Sequence, residues 1–193
     1  MGRLPKPSLD YFPLDTSLND KFNLIEVEFG LKGFAVIVKL FQKIYGGYGY
    51  YCEWTKEVAL LFADKVNVKV NAVSEIVEAS FRRGIFDKNL YRQYGILTSR
   101  GIQERYLEAV GKRVKVELKR QYLLLSVPEI REILGKSTTL VNIISLNVDR
   151  NPQSKLEESK LDYFYYKETD EEEIPFVDDI LLKEMKEKNE NAD

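Results

Sequence analysis

The stretch FADKVNVKVNAVSEI, residues Phe62 to Ile76, decides the fold. Two helices that cross at a steep angle need a small residue at the crossing, and the turn needs a residue that tolerates left-handed backbone angles. Ala63 and Asn67 meet these requirements four positions apart, and Val68 follows as an apolar plug for the turn. The other apolar positions of the pattern are Phe62, Val66, Val73 and Ile76. The stretch therefore predicts a helix-turn-helix.

The flanks of this stretch predict a winged helix. The aromatic segment GYYCEWT reads as a strand before the first helix, and Thr55 is its predicted N-cap. The segments IFD and ILTS read as two further strands after the second helix, with KNLYRQYG as the loop of the wing. The long segment that follows Ser99, RGIQERYLEAVGKRVKVELKRQYLLL, predicts a long helix with an apolar residue at every fourth position. The predicted fold class is mainly α (α+β), a winged helix-turn-helix with a long C-terminal helix.

Upstream of this module the periodicity predicts two helices. The first starts at Asp20 and stops at Gly30, and the second is nearly apolar all round between Phe34 and Val38. Gly46 and Gly47 end the second helix, which is expected to be the central buried one. The lead-in LDYFPLD is expected to be a short edge strand or an extended segment.

The sequence as a whole predicts three domains. They are a winged-helix domain with its long helix over 1–125, a weakly structured segment and polar linker over 126–167, and an acidic tail over 168–193. Within the middle segment, STTLVNIISLNV reads as a loose strand and NPQSKLEESKL as linker. The composition of the tail is typical of a largely disordered segment, with a possible short amphipathic helix over Val177–Met185.

Composition argues against an enzyme. The chain of 193 residues has no histidine, which removes the commonest general base and metal ligand, and no phosphate-loop or paired-carboxylate spacing stands out. We therefore predict no catalytic residues, no metal and no cofactor. The single cysteine, Cys52, suggests a reducing cytoplasm, and the longest apolar run, Phe34 to Val38, is far too short to cross a membrane.

The charge is unevenly distributed along the chain. Residues 1–122 contain 20 Lys and Arg against 14 Asp and Glu, hence +6, whereas residues 123–193 contain 9 against 17, hence −8. A basic body is typical of nucleic-acid and assembly proteins, although it also fits a solvated body with a solubilising tail. The candidate DNA-binding residues are Lys69, Asn71, Ser74, Arg82, Arg83, Lys88, Arg92, Arg100, Arg105, Lys112 and Arg113.

Two acidic residues argue against DNA binding by the second helix of the predicted helix-turn-helix. Glu75 and Glu78 lie in the middle of its predicted outer face, where they would repel phosphate. The sequence therefore leaves open a winged helix that contacts DNA, an interaction module that does not, and a winged-helix transcriptional regulator. If DNA is bound, the flanks of the motif and the helix after Ser99 are expected to contribute more than its centre.

Four segments resemble the N-terminal domain of a phage and mobile-element family: LDYFPLD, DKFNLIEVEFGLKGFAVIVKLFQKIY, GYYCEW and FDKNLYRQYGILTSRGIQERYLEA. That domain, often catalogued as of unknown function, is similar to the DnaD-type winged helix of replication initiation. The resemblance covers Ser8 to Leu125, and ILTSRGIQERY is its most specific part. It implies an accessory role in DNA replication, with DNA and a helicase loader as partners and with assembly into homo-oligomers. Such proteins often have a second helical domain after the linker, and no such pattern follows here.

The acidic tail offers a second candidate site. The segment DEEEIPFVDD resembles the acidic tip of single-stranded DNA-binding proteins, although Phe176 is internal here. A generic acidic anchor peptide is the favoured interpretation of this segment, and a tail that folds back on the basic body is the third option. The candidate partner-docking residues are Ile174, Phe176, Ile180 and Leu181.

Overall fold

The structure, a computed structural model, describes residues 7–16, 19–135 and 139–144 and the backbone of residues 161–164. The described residues are mainly helical, with two small sheets. They fall into two compact units. The first unit contains the described residues of 7–109 and 124–133, and the second contains those of 110–123 and 134–164.

The first unit is built from helices and one short strand pair. Strands β1 and β2 are antiparallel, with Cys52 opposite Leu97. The elements of this unit are α1 (Asp20–Tyr45), β1 (Cys52–Glu53), α2 (Lys56–Lys65), α3 (Val70–Arg82), α4 (Lys88–Tyr94), β2 (Ile96–Leu97), α5 (Arg100–Val110) and α6 (Val127–Leu134).

Helix α1 is interrupted where the sequence predicts a stop. Gly30 has a φ of 66° and a ψ of −168°, a combination that residues with a Cβ rarely adopt, so the helical path breaks there. The second half of α1 forms the centre of the unit, with Ile37, Leu40 and Ile44 fully buried. This half ends at Gly46, as predicted.

The lead-in, residues 7–16, forms neither helix nor strand, so the expected edge strand is wrong. The backbone N–H of Leu9 donates to the carbonyl of Tyr45 at 2.7 Å, and the ring of Phe12 stacks on that of Tyr45 with 4.9 Å between centroids. The lead-in thereby covers the end of α1.

The predicted wing is wrong in its details. Residues 85–87 form no strand, and the predicted loop KNLYRQYG contains helix α4. Asp87 is the N-cap of α4, where its carboxylate accepts a hydrogen bond from the N–H of Leu90 at 2.7 Å, and Gly95 ends the helix with left-handed backbone angles. Because these two capping residues satisfy the ends of the helix, seven residues are enough to form it. Only β2, within the predicted strand ILTS, pairs with β1.

The predicted long helix after Ser99 is also wrong beyond Val110. Helix α5 ends there, and Lys115–Lys119 form strand β3, followed by a 3₁₀ turn over Arg120–Tyr122. The segment KVELK alternates in burial, with Val116 and Leu118 buried, so its period of two is that of a strand. The apolar residue at Val114, which extended the predicted helical stripe, is 86% exposed.

The second unit contains a three-stranded sheet in the order β3–β4–β5, with β4 over Leu140–Ile144 and β5 over Leu161–Phe164. Strand β4 lies parallel to β3, with Val116 opposite Val141, and antiparallel to β5. The loose strand predicted in STTLVNIISLNV is thus confirmed for residues 140–144. Strand β5 starts at Leu161, the last residue of the predicted linker.

Helix α6 lies in the segment predicted to be weakly structured. Glu129 provides the carboxylate half of a capping box, in which the Ser126 N–H and hydroxyl donate to the Glu129 carboxylate at 2.8 Å and 2.7 Å. This pattern is visible in the sequence and was missed. The division of the chain at residues 125 and 167 stays a prediction. Among the described residues, every helix is too short or too polar to span a bilayer.

Candidate nucleic-acid interface

The predicted helix-turn-helix residues form two packed helices with a tight turn, here called the α2–turn–α3 unit (residues 56–82). Thr55 caps α2 by accepting the N–H of Val58 at 3.2 Å. Asn67 has a φ of 54° and is the one non-glycine residue with positive φ in the described ranges. The N–H of Val68 then donates back to the carbonyl of Ala63 at 3.0 Å, which closes the turn.

Burial in this unit follows the predicted pattern. The buried residues are Phe62, Ala63, Val73 and Ile76, and the half-buried ones are Val66 and Val68. Asn67 itself is exposed, so its contribution is to the backbone of the turn and not to the core.

The outer face of α3 is acidic at its centre. Glu75 and Glu78 line a shallow pocket of about 340 Å³ together with Glu28 of α1. The hydroxyl of Ser74, a candidate DNA-binding residue, donates to the carbonyl of Val70 at 2.9 Å and so already has a partner. Glu28 is compensated by arginines, but Glu75 and Glu78 make no ion pair among the described residues, so the centre of this face is unfavourable for phosphate.

Four of the candidate arginines form ion pairs with carboxylates: Arg82, Arg83, Arg100 and Arg105. Glu28 forms ion pairs with Arg82, at 3.1 Å, and with Arg83. Arg105 forms a longer pair with Asp15, at 3.5 Å. Exposed pairs of this kind add little stability, but they offset the positive charge of the arginines.

Arg100 joins two elements of the first unit. It contacts Glu104 one turn along α5 at 2.9 Å and Glu129 of α6 at 2.7 Å. Hydrogen bonds from the backbone of Ser126, from Arg100 and from the Ser126 hydroxyl lower the pKa of Glu129 from 4.5 to about 2. The same contact with Glu129 raises the pKa of Arg100. Arg100 is therefore a structural cation that stays charged at any working pH.

The remaining candidates in the first unit are Lys69, Asn71, Lys88 and Arg92. Within the described ranges, none of them makes an ion pair or a side-chain hydrogen bond. Lys69 is the exposed N-cap residue of α3, and Lys88 and Arg92 are exposed and lie one turn apart on α4.

A groove of about 440 Å³ joins the elements that carry these residues. Lys56 and Leu60 of α2, Val70 and Ser74 of α3, and Tyr91 of α4 are among its lining residues. Lys69 precedes Val70 in the chain, and Tyr91 lies between Lys88 and Arg92. Lys56 is the basic residue among those that line the groove, and Glu78 of α3 lines it too. We group Lys56 with the cations at the start of α3 and on α4 under the name α3–α4 surface (Lys56, Lys69, Lys88 and Arg92).

The last two candidates, Lys112 and Arg113, belong to the second unit. They follow α5 in the turn before β3, where the N–H of Arg113 donates to the carbonyl of Val110 at 2.8 Å. The partner-docking candidates Ile174, Phe176, Ile180 and Leu181 lie outside the described residues.

A larger groove, of about 540 Å³, lies between the C-terminal half of α1 and α2, and sequence reasoning missed it. We call it the lysine groove, because Lys39, Lys43 and Lys65 line it with the apolar side chains of Val58, Leu61, Phe62 and Val66. The four-residue spacing of Lys39 and Lys43 was a visible signal that both project from one face of α1. The contribution from α2 could be found only from the packing of the two helices.

The aromatic segment before α2 is core. Tyr50, Tyr51 and Trp54 are buried, and the ring of Trp54 lies edge-on to Phe62 with 5.3 Å between centroids. Burial raises the pKa of the Cys52 thiol to about 12, which keeps the sulfur protonated and unreactive. No cluster of three or more Cys, Asp and Glu in the described part of the chain could hold a metal ion.

Comparison with known proteins gives one family and one relative. Residues 11–102 match the family model described as "Lin1244/Lin1753-like, N-terminal". The chain is 43% identical over 157 residues to the "Uncharacterized phage-related protein Lin1244/Lin1753" of Listeria innocua serovar 6a. That alignment covers 80% of this chain and 51% of the relative, so the chain spans about half the length of the relative. No solved structure matches. Both matches support the predicted phage-associated family, and the region matched by the family model lies in the first unit.

Proposed function

We propose that this chain is a phage-type accessory protein of DNA replication, whose first unit is a DnaD-like winged-helix variant that contacts duplex DNA through the α3–α4 surface. Helix α4 stands in this variant where a winged helix has its hairpin loop. The phage-related relative and the turn geometry at Asn67 support the proposal.

The observation that carries the proposal is the distribution of free and paired cations. The four basic residues of the α3–α4 surface form no ion pair among the described residues, whereas Arg82, Arg83 and Arg100 are paired. Free ammonium and guanidinium groups bind phosphate by releasing condensed counterions. The acids Glu75 and Glu78 keep the centre of α3 off the duplex, so contact is expected at the start of α3 and along α4.

Fluorescence anisotropy of the full chain with a labelled duplex tests the proposal. We expect saturable binding at low ionic strength, weakened roughly tenfold or more by the combined Lys69→Ala, Lys88→Ala and Arg92→Ala changes. A matched control removes three cations elsewhere, by Lys32→Ala, Lys39→Ala and Lys43→Ala on α1, and should retain most of the affinity. Equal losses in both variants would mean that net charge alone, and not this surface, determines binding.

A second candidate function, an interaction module without DNA contact, is favoured by Glu75 and Glu78, which line the pocket on α3 and make no ion pair among the described residues. On that view the pocket receives a basic segment of a replication partner such as a helicase loader. Two results together would favour this candidate over the first. The full chain would show no salt-sensitive DNA binding, and the Glu75→Gln and Glu78→Gln changes would abolish the binding of a basic partner.

Self-association is part of the same proposal. Leu24, Val27 and Leu31 of α1 are 49%, 83% and 74% exposed, which gives a second copy an apolar surface to cover. Light scattering of the full chain should report a mass above that of one chain, and Val27→Ser with Leu31→Ser should lower it. A monomeric wild-type chain would contradict this part of the proposal.

A further inference from the structure

The lysine groove has two chemical features that no part of the proposed DNA contact uses. Three lysines line it, and no carboxylate is among the lining residues that the structure gives for it. Within the described part of the chain, Lys39, Lys43 and Lys65 form no ion pair and no side-chain hydrogen bond. The groove is therefore a site of unbalanced positive charge.

The second feature is an exposed apolar lining. Leu61 is 70% exposed although it lies on α2 between the buried residues Ala59 and Phe62. Val58 and Val66 extend the apolar strip along the same groove. Water contact with this strip is unfavourable, so an occupant that covers it gains from apolar burial as well as from charge.

These two features together select the kind of occupant. A nucleic-acid backbone would satisfy the lysines but would leave Leu61 in contact with sugars and phosphates. A peptide that combines carboxylates with an aliphatic or aromatic anchor would satisfy both, with the anchor on Leu61 and the acids on the lysine rim. The size of the groove, about 540 Å³, suits one or two such anchor side chains.

We propose that the lysine groove binds an acidic peptide segment of a partner protein through an apolar anchor. The lysine groove is lined by Leu61 of α2, whereas its chain neighbour Leu60 lines the groove between α2, α3 and α4.

The sequence of residues 170–181, DEEEIPFVDDIL, supplies a probe of the required chemistry, since six of its residues are acidic and Ile174 and Phe176 are apolar. Anisotropy of this peptide, labelled with a fluorophore, is measured on the full wild-type chain. It is also measured on a full chain with Ile174→Ala and Phe176→Ala, so that the chain's own copy of the sequence cannot compete. Saturable binding is expected in at least the second chain, and its absence from both would overturn the proposal.

Matched variants identify the site. Lys39→Glu with Lys43→Glu should weaken peptide binding roughly tenfold or more, and Leu61→Ser about tenfold. The controls are Lys32→Glu, an exposed α1 lysine outside the groove, and Leu60→Ser, the exposed neighbour of Leu61; both should bind like wild type. Equal losses in the controls would show that the groove is not a peptide site.

A peptide in which both anchors are serine separates apolar recognition from charge. We expect it to bind roughly tenfold more weakly than the original peptide at the same ionic strength. Unchanged affinity would reduce the interaction to non-specific charge attraction and would contradict the proposal.

Discussion

Replacement of Asn67 by alanine tests the turn on which the first unit depends. Asn67 has a φ of 54°, in the left-handed region, and its side chain is exposed, so substitution removes no buried contact. The left-handed conformation costs a residue with an ordinary Cβ about 1 to 2 kcal/mol, and asparagine less than most. We therefore expect Asn67→Ala to lower the free energy of unfolding by about 1 kcal/mol. Asn67→Gly should leave it unchanged or raise it slightly, because glycine adopts these angles without strain.

Urea unfolding followed by tryptophan fluorescence measures this effect where it occurs. Trp54 is the only tryptophan of the chain, is 5% exposed, and packs against Phe62 of α2, so its emission reports unfolding of the first unit. Asn71→Ala is the matched control, because Asn71 is exposed on α3, a right-handed helix in which alanine is favoured. Asn67→Ala and Asn67→Gly variants with equal stability would refute the reasoning from the turn.

Three further predictions concern the first unit. Because the pKa of Glu129 is lowered from 4.5 to about 2, its contribution to stability is complete above pH 4.5 and is lost as the pH falls towards 2. Glu129→Gln should therefore flatten the acid limb of a stability–pH curve measured by urea unfolding. Gly49→Ala should destabilise by about 1 to 3 kcal/mol more than Gly95→Ala. Both glycines have positive φ, but a Cβ at Gly49 would collide with a tyrosine ring whereas one at Gly95 meets open space; thermal unfolding compares the two. Cys52, with a thiol pKa of about 12, should react with a thiol reagent at neutral pH only after denaturation, and rapid reaction of the native chain would contradict its burial.

Local sequence patterns are sufficient to predict the α2–turn–α3 unit. The requirement for a small residue at Ala63 and a left-handed residue at Asn67 depends on four or five neighbouring positions, so one sequence contains all the information. The break at Gly30 was predictable for the same reason.

Two errors came from a choice between competing local signals. The capping residues Asp87 and Gly95 make KNLYRQYG a helix, but the wing hypothesis read the same residues as a loop between strands. After Val110, the fourfold apolar spacing predicts a helix, although VKVELK also alternates with a period of two. Pairing with the distant strand β4 decides in favour of the strand, and the local pattern does not contain that partner.

The candidate site was less predictable than the fold, because its electrostatics depend on long-range contacts. Glu28 lies more than fifty positions from Arg82 and Arg83, so no local pattern indicates that it offsets their charge. The lysine groove likewise needs α1 and α2 to lie side by side. Single residues could therefore be named as cations, but their free or paired state required the structure.

The salt dependence of duplex binding by the full chain tests the central claim most directly. Four phosphate contacts from the α3–α4 surface predict a slope of about −3.6 for log K against log salt concentration, or roughly a 150-fold loss of affinity between 50 and 200 mM salt. The triple variant with Lys69→Ala, Lys88→Ala and Arg92→Ala should reduce that slope to about −0.9. The same slope in the wild type and the triple variant, or no binding at the lower salt concentration, would contradict the account.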